Sequence, residues 1–179
     1  MKEISNNQLR EKAAKIKWFF CDIDGTLTDG GVYYSPQGEL LKRFSLRDGT
    51  GFFLLKQCGI KTGFITTENS PIVEQRARKL RIDKCIFGTQ HKVEAMEEFL
   101  ASEGLTLENA AFIGDELNDV KLLKACGLSY SVGDADKRAK EASDIVCEKD
   151  GGKGAFREAV ESFLILRGYY IEQLIEQAL

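Results

Sequence analysis

Short apolar runs alternate with longer amphipathic stretches along this chain, and this alternation is the feature that most constrains its fold. Six runs have the character of strands: residues 18–23, 62–66, 84–87, 110–113, 128–132 and 144–147. Helical patterns separate them, such as residues 49–57 and the stretch that begins at Ser70-Pro71, an N-cap followed by a first-turn proline. Apolar strands linked by amphipathic helices indicate a parallel sheet covered on both faces. The sequence therefore predicts a doubly wound, Rossmann-like α/β fold.

Two segments depart from this pattern. Residues 30–44 contain a turn, Ser35 to Gly38, between two apolar stretches, which predicts a β-hairpin insertion. In a helical tail of about residues 155–179, the apolar stripe Ile171, Leu174, Ile175 and Ala178 predicts a docking or oligomer-contact helix. With 179 residues in total, we expect a single domain.

Composition excludes several function classes. The formal net charge of −3 is too close to neutral to indicate a nucleic-acid or membrane-surface partner. The longest apolar runs fall short of the roughly 18 residues that a membrane helix needs. Five cysteines without a paired spacing fit small buried residues in a reducing compartment, so a cytoplasmic protein is expected.

Two acidic residues follow the first predicted strand, in the segment Asp22-Ile23-Asp24-Gly25-Thr26. Residues at i and i+2 of an extended chain project to the same side, so both carboxylates would meet at the carboxyl end of a buried strand. Ligands bind at that end in open α/β sheets. Such a pair is tolerable if a cation lies between the acids or if one acid stays protonated. The alternative is an ordinary acidic turn that caps a helix.

A second acidic cluster, Asp115 to Asp119, follows the fourth predicted strand. If that strand lies beside the first, Asp115 joins Asp22 and Asp24 at one edge of the sheet. Three carboxylates with water and phosphate oxygens make a good Mg²⁺ site, since Mg²⁺ prefers hard oxygen ligands. Asp115 could instead cap the next helix, and Asn118 and Asp119 could orient metal ligands or only cap.

Thr66 and Lys92 lie where a bound phosphate would need partners. Thr66 ends the second predicted strand and offers a hydroxyl and nearby backbone N–H groups to an anion. Lys92 opens the helix after the third, where an ammonium could offset phosphoryl charge. Either residue alone is usually a surface residue, but their order after successive strands favours a site.

Together these residues resemble the four motifs of the haloacid dehalogenase superfamily. The motifs are Asp22-x-Asp24-Gly25-Thr26, then Thr66, then Lys92, then Gly114-Asp115-x-x-Asn118-Asp119. The resemblance implies that Asp22 is a nucleophile that forms an aspartyl-phosphate. It implies that Asp24 protonates the leaving oxygen and then activates water. Asp22, the backbone carbonyl of Asp24, and Asp115 would hold Mg²⁺.

Superfamily members usually carry a cap domain, and this chain has no room for one. The hairpin and one helix fill the stretch from Asp24 to Thr66, and one helix and one strand fill that from Thr66 to Lys92. An open site would let water compete with substrate. We therefore expect the hairpin to mediate assembly, with neighbouring subunits closing the site.

This capless layout is similar to 3-deoxy-D-manno-octulosonate 8-phosphate phosphatases and to their relatives that act on nine-carbon ulosonic acid 9-phosphates. The resemblance is carried by residues 29–31, 47–49 and 151–158. It implies a homotetramer in which the hairpins meet at the centre and the C-terminal segments reach toward adjacent sites.

An acidic sugar phosphate needs cationic partners, for which the candidates are Arg76, Lys79 and Arg157. Arg76 and Lys79 share one helical face and could reach one ligand, although a solvated basic face is the alternative. Arg157, after a glycine run, could present its planar fork to a carboxylate. Asp48 and Glu68 complete the predicted substrate-binding set.

The length of the substrate is left open by two segments. The subgroup usually has glycine after the position of Thr66, and then arginine or glutamate, whereas this chain has Thr67-Glu68. Glu68 resembles the nine-carbon branch, whereas Arg47-Asp48-Gly49 resembles the octulosonate branch. The favoured substrate is 3-deoxy-D-manno-octulosonate 8-phosphate, and the alternative is a nonulosonate 9-phosphate.

Two other classes of function fit parts of the pattern. A phospho-acceptor receiver also combines acids, threonine and lysine, but it takes phosphate on a mid-sheet aspartate, and here the third strand ends in Phe87-Gly88-Thr89. A catalytically inactive regulatory or oligomerising module is the other, and the intact acids argue against it. His91 is expected to be a packing or surface residue.

Overall fold

The computed structural model describes residues 4–176, and a six-stranded sheet lies at its centre. The strands of this sheet are β1 (Trp18–Cys21), β4 (Lys61–Ile65), β5 (Lys84–Ile86), β6 (Ala110–Gly114), β7 (Leu128–Ser131) and β8 (Ile145–Val146). A separate hairpin consists of β2 (Tyr33–Ser35) and β3 (Gly38–Leu41). The strands of the main sheet all pair in parallel, in the order β5-β4-β1-β6-β7-β8.

The helices of the described residues flank this sheet. They are α1 (Asn6–Lys15), α2 (Leu46–Gln57), α3 (Pro71–Leu80), α4 (Lys92–Ser102), α5 (Val120–Ala125), α6 (Lys137–Ala142), α7 (Ala155–Leu166) and α8 (Ile171–Glu176). Right-handed crossovers place the helices that follow β1 and β4 on the opposite face from those that follow β5 and β6. In agreement, α2 packs against α7, whereas α4 packs against α5.

The side chains of β1 pack against helices on both faces of the sheet. Phe19 contacts Phe156 and Phe163 of α7, with ring centroids 5.6 and 5.5 Å apart. Phe20 points the other way and contacts Phe99 of α4 at 6.0 Å. Because successive strand residues project to opposite faces, a strand covered on both sides has to be apolar throughout. The predicted doubly wound α/β fold is confirmed.

Two helices begin in ways that the sequence only partly predicted. α2 starts at Leu46, earlier than Gly49, because the hydroxyl of Ser45 accepts a hydrogen bond from the backbone N–H of Arg47 at 3.1 Å. α3 starts at Pro71 as predicted, but the hydroxyl of Ser70 does not cap it. That hydroxyl donates to a carboxylate of the hairpin instead.

The hairpin is a two-stranded sheet of its own, and a bridge closes its base. An antiparallel bridge between Thr28 and Phe44 joins the two chain segments that enter and leave the hairpin. Between β1 and β4, a stretch that the structure describes in full, the hairpin and α2 are the regular elements. The expected cap-free layout is thus the one observed.

The last helix, α8, docks on its own chain. Ile171 is buried and Leu174 packs against the core, whereas Ile175 is 38% exposed. Ala178, the last member of the predicted stripe, lies outside the described residues. Across residues 4–176, no helix has both the length and the apolar character required to cross a membrane.

Candidate active site

The carboxyl ends of β1 and β6 bring the first and fourth motifs together. The two strands are neighbours, with Cys21 paired to Ile113. The backbone N–H of Asp22 donates to the carbonyl oxygen of Ile113 at 3.0 Å. Asp22 and Asp115 therefore leave the sheet at the same edge, which is where open α/β sheets bind ligands.

Lys92, the first residue of α4, joins the motifs through ion pairs. Its Nζ lies 2.6 Å from Oδ1 of Asp22 and 2.6 Å from Oδ1 of Asp119. Lys92 is only 2% exposed and Asp119 is fully buried. Because the helix dipole disfavours a cation at a helix N-terminus, the dipole does not hold this ammonium group in place. The carboxylates of Asp22 and Asp119 do.

Burial and charge oppose each other within this cluster. Burial by itself lowers the pKa of Lys92, but the charges of Asp22 and Asp119 outweigh it and raise that pKa overall. Burial raises the pKa of Asp22 well above its usual range, the Asp119 carboxylate adds to the rise, and Lys92 opposes it. Further positive charge beside Asp22 would therefore favour its ionised form.

Asp115 is held by Thr26 and by the lack of a side chain at Gly25. The hydroxyl of Thr26 donates to Oδ1 of Asp115 at 2.8 Å. A Cβ atom at Gly25 would lie 2.0 Å from Oδ2 of Asp115, and the φ angle of +84° there is one that glycine adopts freely. Burial raises the pKa of Asp115 to about 7, although the hydrogen bond from Thr26 opposes the rise.

A cavity of about 290 Å³ at this edge of the sheet collects most of the predicted catalytic residues. It is lined by Asp22, Asp24, Gly25, Gly30, Thr66, Thr67, Asp115, Glu116 and Asn118. Thr66 is buried, and its hydroxyl accepts a hydrogen bond from the backbone N–H of Glu68 at 3.2 Å. Asn118 is exposed at the rim. Lys92 joins the group through its ion pair with Asp22.

The carboxylates of this cavity fit a cation that prefers oxygen ligands. Oxygens of Asp22, Asp115 and Asp119 lie within 4.8 Å of one another. Asp119 uses both of its oxygens within the protein, because Oδ1 contacts Lys92 and Oδ2 accepts the backbone N–H groups of Asp115 and Glu116 at 3.0 and 3.2 Å. Asp22 and Asp115 each keep an oxygen outside the described hydrogen bonds. They are the side chains suited to hold Mg²⁺, and Asp119 is suited to orient its neighbours.

Sequence reasoning missed one partner of the site, Lys42, which follows β3 of the hairpin. Its Nζ lies 2.5 Å from Oδ1 of Asp24 and 2.9 Å from Oε1 of Glu39. Burial by itself lowers the pKa of Lys42, but the hydrogen bonds to both carboxylates reverse the effect and raise it. The sequence offered one signal for this contact: Lys42 follows an apolar strand of the hairpin. A lysine that such a strand carries into the protein is seldom buried without a carboxylate partner.

Three predicted substrate-binding residues have partners elsewhere in the fold. Oδ1 of the buried Asp48 accepts the backbone N–H of Arg157 at 3.1 Å, so this carboxylate holds the N-terminus of α7. The guanidinium of Arg157 binds Glu161 at 2.6 Å. The guanidinium of Arg76 donates to the carbonyl oxygen of Ser45 at 3.1 Å. The structure does not bring these three side chains into the acidic cavity of their own chain.

Two further predicted substrate-binding residues, Glu68 and Lys79, are exposed outside the cavity lining. Their role in substrate binding stays a prediction, as does that of Asp48, Arg76 and Arg157. His91 is exposed, as expected.

Comparisons with known sequences agree with this geometry. Residues 85–157 match the family model of haloacid dehalogenase-like hydrolases. The 3-deoxy-D-manno-octulosonate 8-phosphate phosphatase of Haemophilus influenzae is 37% identical over 160 residues, which cover 89% of this chain and 89% of that protein. Its counterpart of the same name from Yersinia pestis is 36% identical, over 87% of this chain and 83% of that protein.

Solved structures show the same similarity. The cobalt-bound deoxy-D-mannose-octulosonate 8-phosphate phosphatase of Haemophilus influenzae has a TM-score of 0.84 and 38% identity, covering 88% of this chain and 92% of that one. The Moraxella catarrhalis phosphatase, in complex with a magnesium ion, a phosphate ion and KDO, has a TM-score of 0.89 and 35% identity, covering 95% and 98%.

A cap-free parallel α/β sheet with clustered aspartates and a buried lysine at its carboxyl edge defines the class, and the chain belongs to the haloacid dehalogenase-like hydrolases. Within that family it belongs with the 3-deoxy-D-manno-octulosonate 8-phosphate phosphatase-like group. The motif resemblance predicted this placement.

Proposed function

We propose that this protein is a Mg²⁺-dependent phosphatase that hydrolyses 3-deoxy-D-manno-octulosonate 8-phosphate through an aspartyl-phosphate. The observation that carries the proposal is the buried ion pair of Lys92 with Asp22, at 2.6 Å, beside an acidic cavity at the carboxyl edge of the sheet. A turn that merely caps a helix would need neither the buried cation nor the second carboxylate cluster. The relatives that cover most of this chain indicate the substrate.

Asp22 is the nucleophile of the proposed reaction. Lys92 binds Oδ1 of Asp22 and leaves Oδ2 available to attack phosphorus, while the remaining lone pair of Oδ1 would be left for the cation. The ammonium of Lys92 offsets charge on the phosphoryl group during transfer, while Asp119 fixes that ammonium in place. Thr66 offers a hydroxyl to a phosphoryl oxygen. When bound, Mg²⁺ supplies the positive charge that keeps the carboxylates ionised and neutralises phosphoryl oxygens.

Asp24 carries the proton in both half-reactions. As the bond from phosphorus to the sugar oxygen breaks, its electron pair stays on that oxygen, and the proton of Asp24 joins it. Asp24 is left as a carboxylate, which then takes a proton from a water molecule whose oxygen attacks the phosphorus bound to Asp22. The second step breaks the bond between phosphorus and Asp22, releases inorganic phosphate and restores both aspartates.

The proposed active form is a homotetramer of single-domain, cap-free protomers whose hairpins meet. Tyr34 and Leu40 of the hairpin are 74% and 60% exposed in one chain, and exposed apolar clusters of this kind mark protein interfaces. Arg76 and Arg157 lie outside the cavity lining of their own chain. A neighbouring subunit is therefore a suitable source of cationic groups for the sugar carboxylate.

Glu68 supports a second candidate substrate, a nonulosonate 9-phosphate, because it carries the resemblance to the nine-carbon branch. It is exposed and follows Thr67, which lines the cavity. A phosphate-release panel with eight-carbon and nine-carbon substrates separates the two proposals, and equally feeble rates on both would contradict each of them.

The proposed nucleophile is tested by Asp22→Asn. We expect Mg²⁺-dependent phosphate release to fall by at least about 10³-fold, since the amide cannot form the aspartyl-phosphate, while the circular dichroism spectrum stays that of the wild type. Glu108→Gln is a matched control, because it neutralises an exposed carboxylate that pairs with Lys15 away from the cavity. Turnover retained in Asp22→Asn would refute the assignment of the nucleophile, and a wild type inactive on every sugar phosphate would favour the regulatory module.

A further inference from the structure

A line of contacts runs from the hairpin into the active site. The ammonium of Lys42 lies between Asp24 and Glu39, at 2.5 and 2.9 Å. The carboxylate of Glu39 also accepts the hydroxyl of Ser70, the residue before α3. The hairpin is thus joined by side chains both to the first motif and to the loop that follows Thr66.

The burial of Lys42 shows that this contact is a built feature of the fold. Its side chain is 2% exposed, whereas that of Arg43, the next residue, is 59% exposed. Burying an ammonium is costly unless carboxylates compensate for the lost water. Lys42 has two such partners, one on its own hairpin and one in the first motif.

Asp24 depends on Lys42 for its orientation. Within residues 4–176, the carboxylate of Asp24 accepts one hydrogen bond, and the donor is the ammonium of Lys42. The side chain of Asp24 is 28% exposed, so no tight packing confines it. A carboxylate that must reach a departing oxygen, and later a water molecule, gains from a fixed anchor on its second oxygen, because small misplacements of catalytic groups are costly.

We propose that Lys42 is a positioning residue that holds Oδ1 of Asp24 and leaves Oδ2 to carry the proton toward the leaving oxygen, and that the hairpin thereby completes the active site of its own chain. This inference rests on the proposed role of Asp24 as the proton carrier. It assigns the hairpin a function within one protomer that is separate from assembly.

The test compares two leaving groups in Lys42→Met. A sugar alkoxide needs a proton from Asp24 as it departs, whereas 4-nitrophenolate departs without one. The ratio kcat/KM covers the steps up to departure of the leaving group, so it isolates this difference. We expect kcat/KM to fall about 10- to 100-fold on the sugar phosphate and less than about threefold on 4-nitrophenyl phosphate.

Controls separate positioning from a loss of structure. Lys61→Met removes a lysine at the opposite end of the sheet, where it pairs with Glu103 at 2.8 Å. This variant should keep the wild-type kcat/KM on both the sugar phosphate and 4-nitrophenyl phosphate. If Lys42→Met does not fold, Lys42→Gln serves the same comparison, with the same direction of effect. Equal losses on the two substrates, or no loss on either, would overturn the inference.

The test of Lys42 can be interpreted with either candidate substrate, the eight-carbon or the nine-carbon sugar phosphate. If the wild type prefers a nine-carbon 9-phosphate, the octulosonate proposal fails, and the leaving-group comparison is made on that substrate instead. If Asp22→Asn retains activity, the proposed mechanism fails. A selective loss in Lys42→Met with a normal response to Asp22→Asn supports both the mechanism and the positioning role.

Discussion

Buried ionisable residues are concentrated around one cavity. Among the described residues, the buried charged side chains are Asp22, Lys42, Asp48, Lys92 and Asp119. All but Asp48 belong to ion pairs at or beside the proposed catalytic aspartates. Because burying a charge is costly unless it is paired, such a concentration is more readily explained by chemistry than by stability. The buried carboxylate of Asp48 instead contacts the start of α7.

Oδ1 of Asp48 accepts the backbone N–H of Arg157 in the first turn of α7, whereas the buried Oδ2 has no hydrogen-bond partner among the described residues. Burial raises the pKa of this carboxyl group, although the bond from Arg157 opposes the rise. A raised folded-state pKa contributes stability that is fully present below the unfolded pKa of about 3.9 and is lost as pH rises through the folded pKa. Asp48→Asn keeps an acceptor for Arg157 and removes the buried charge. We expect its free energy of unfolding to stay within about 1 kcal/mol of that of the wild type, and the difference between the two to shift in favour of Asp48→Asn as the pH rises from about 4 to about 7.5.

Urea unfolding at the two pH values measures this difference. Asp48→Ala is the matched control, because it removes the acceptor itself and should cost about 1–2 kcal/mol at pH 7.5. A wild type that gains stability relative to Asp48→Asn as pH rises would contradict the assignment.

At the scale of elements, a glycine loop supports the catalytic turn. The backbone N–H of Gly152 donates to the carbonyl oxygen of Thr26 at 3.0 Å, and that of Gly151 donates to Asp134 at 2.8 Å. A Cβ atom at Gly151 would lie 1.7 Å from the carbonyl oxygen of Gly25. The loop before α7 therefore packs backbone to backbone against the first motif, which a larger residue would prevent.

Gly151→Ala should accordingly damage catalysis through the backbone. We expect kcat to fall at least about 10-fold and the free energy of unfolding to fall by about 1–3 kcal/mol, because the added methyl group forces the catalytic turn to shift. Gly104→Ala is a suitable control: it has a φ of +71° but no atom within 4 Å of the added Cβ. That variant should lose stability and keep its kcat. Unchanged kcat in Gly151→Ala would show that the turn does not depend on this loop.

The elements themselves were largely predictable from sequence, since apolar runs and periodic stripes reflect burial that each strand or helix needs locally. The convergence of Asp22 and Asp115 followed from the carboxyl ends of neighbouring parallel strands. The partners of Asp48, Arg76 and Lys42 did not follow, because each contact joins elements far apart in the chain. No local pattern distinguishes a carboxylate that binds a ligand from one that caps a distant helix.

At the scale of the whole molecule, the hairpin combines two kinds of surface. On its inward side, Lys42 pairs both with Glu39 of the hairpin and with Asp24 of the first motif. Tyr33, Tyr34 and Leu40 project outward, and each is more than half exposed. A two-stranded hairpin is marginally stable alone, so burial of these side chains against other copies would stabilise both the hairpin and the position of Lys42.

Assembly through the hairpin is tested by Leu40→Lys, with Ile165→Lys as its match. The two side chains are 60% and 58% exposed in one chain, but only Leu40 belongs to the hairpin. If hairpins of neighbouring subunits meet as proposed, a lysine buried among them would lose water without a partner, so Leu40→Lys should shift the proposed tetramer toward monomers in light scattering. Ile165→Lys should leave the assembly state of the wild type unchanged. Because the hairpin also positions Lys42, the dissociated variant should lose more kcat/KM on a sugar phosphate than on 4-nitrophenyl phosphate. A wild type that is monomeric at working concentration would contradict the assembly proposal outright.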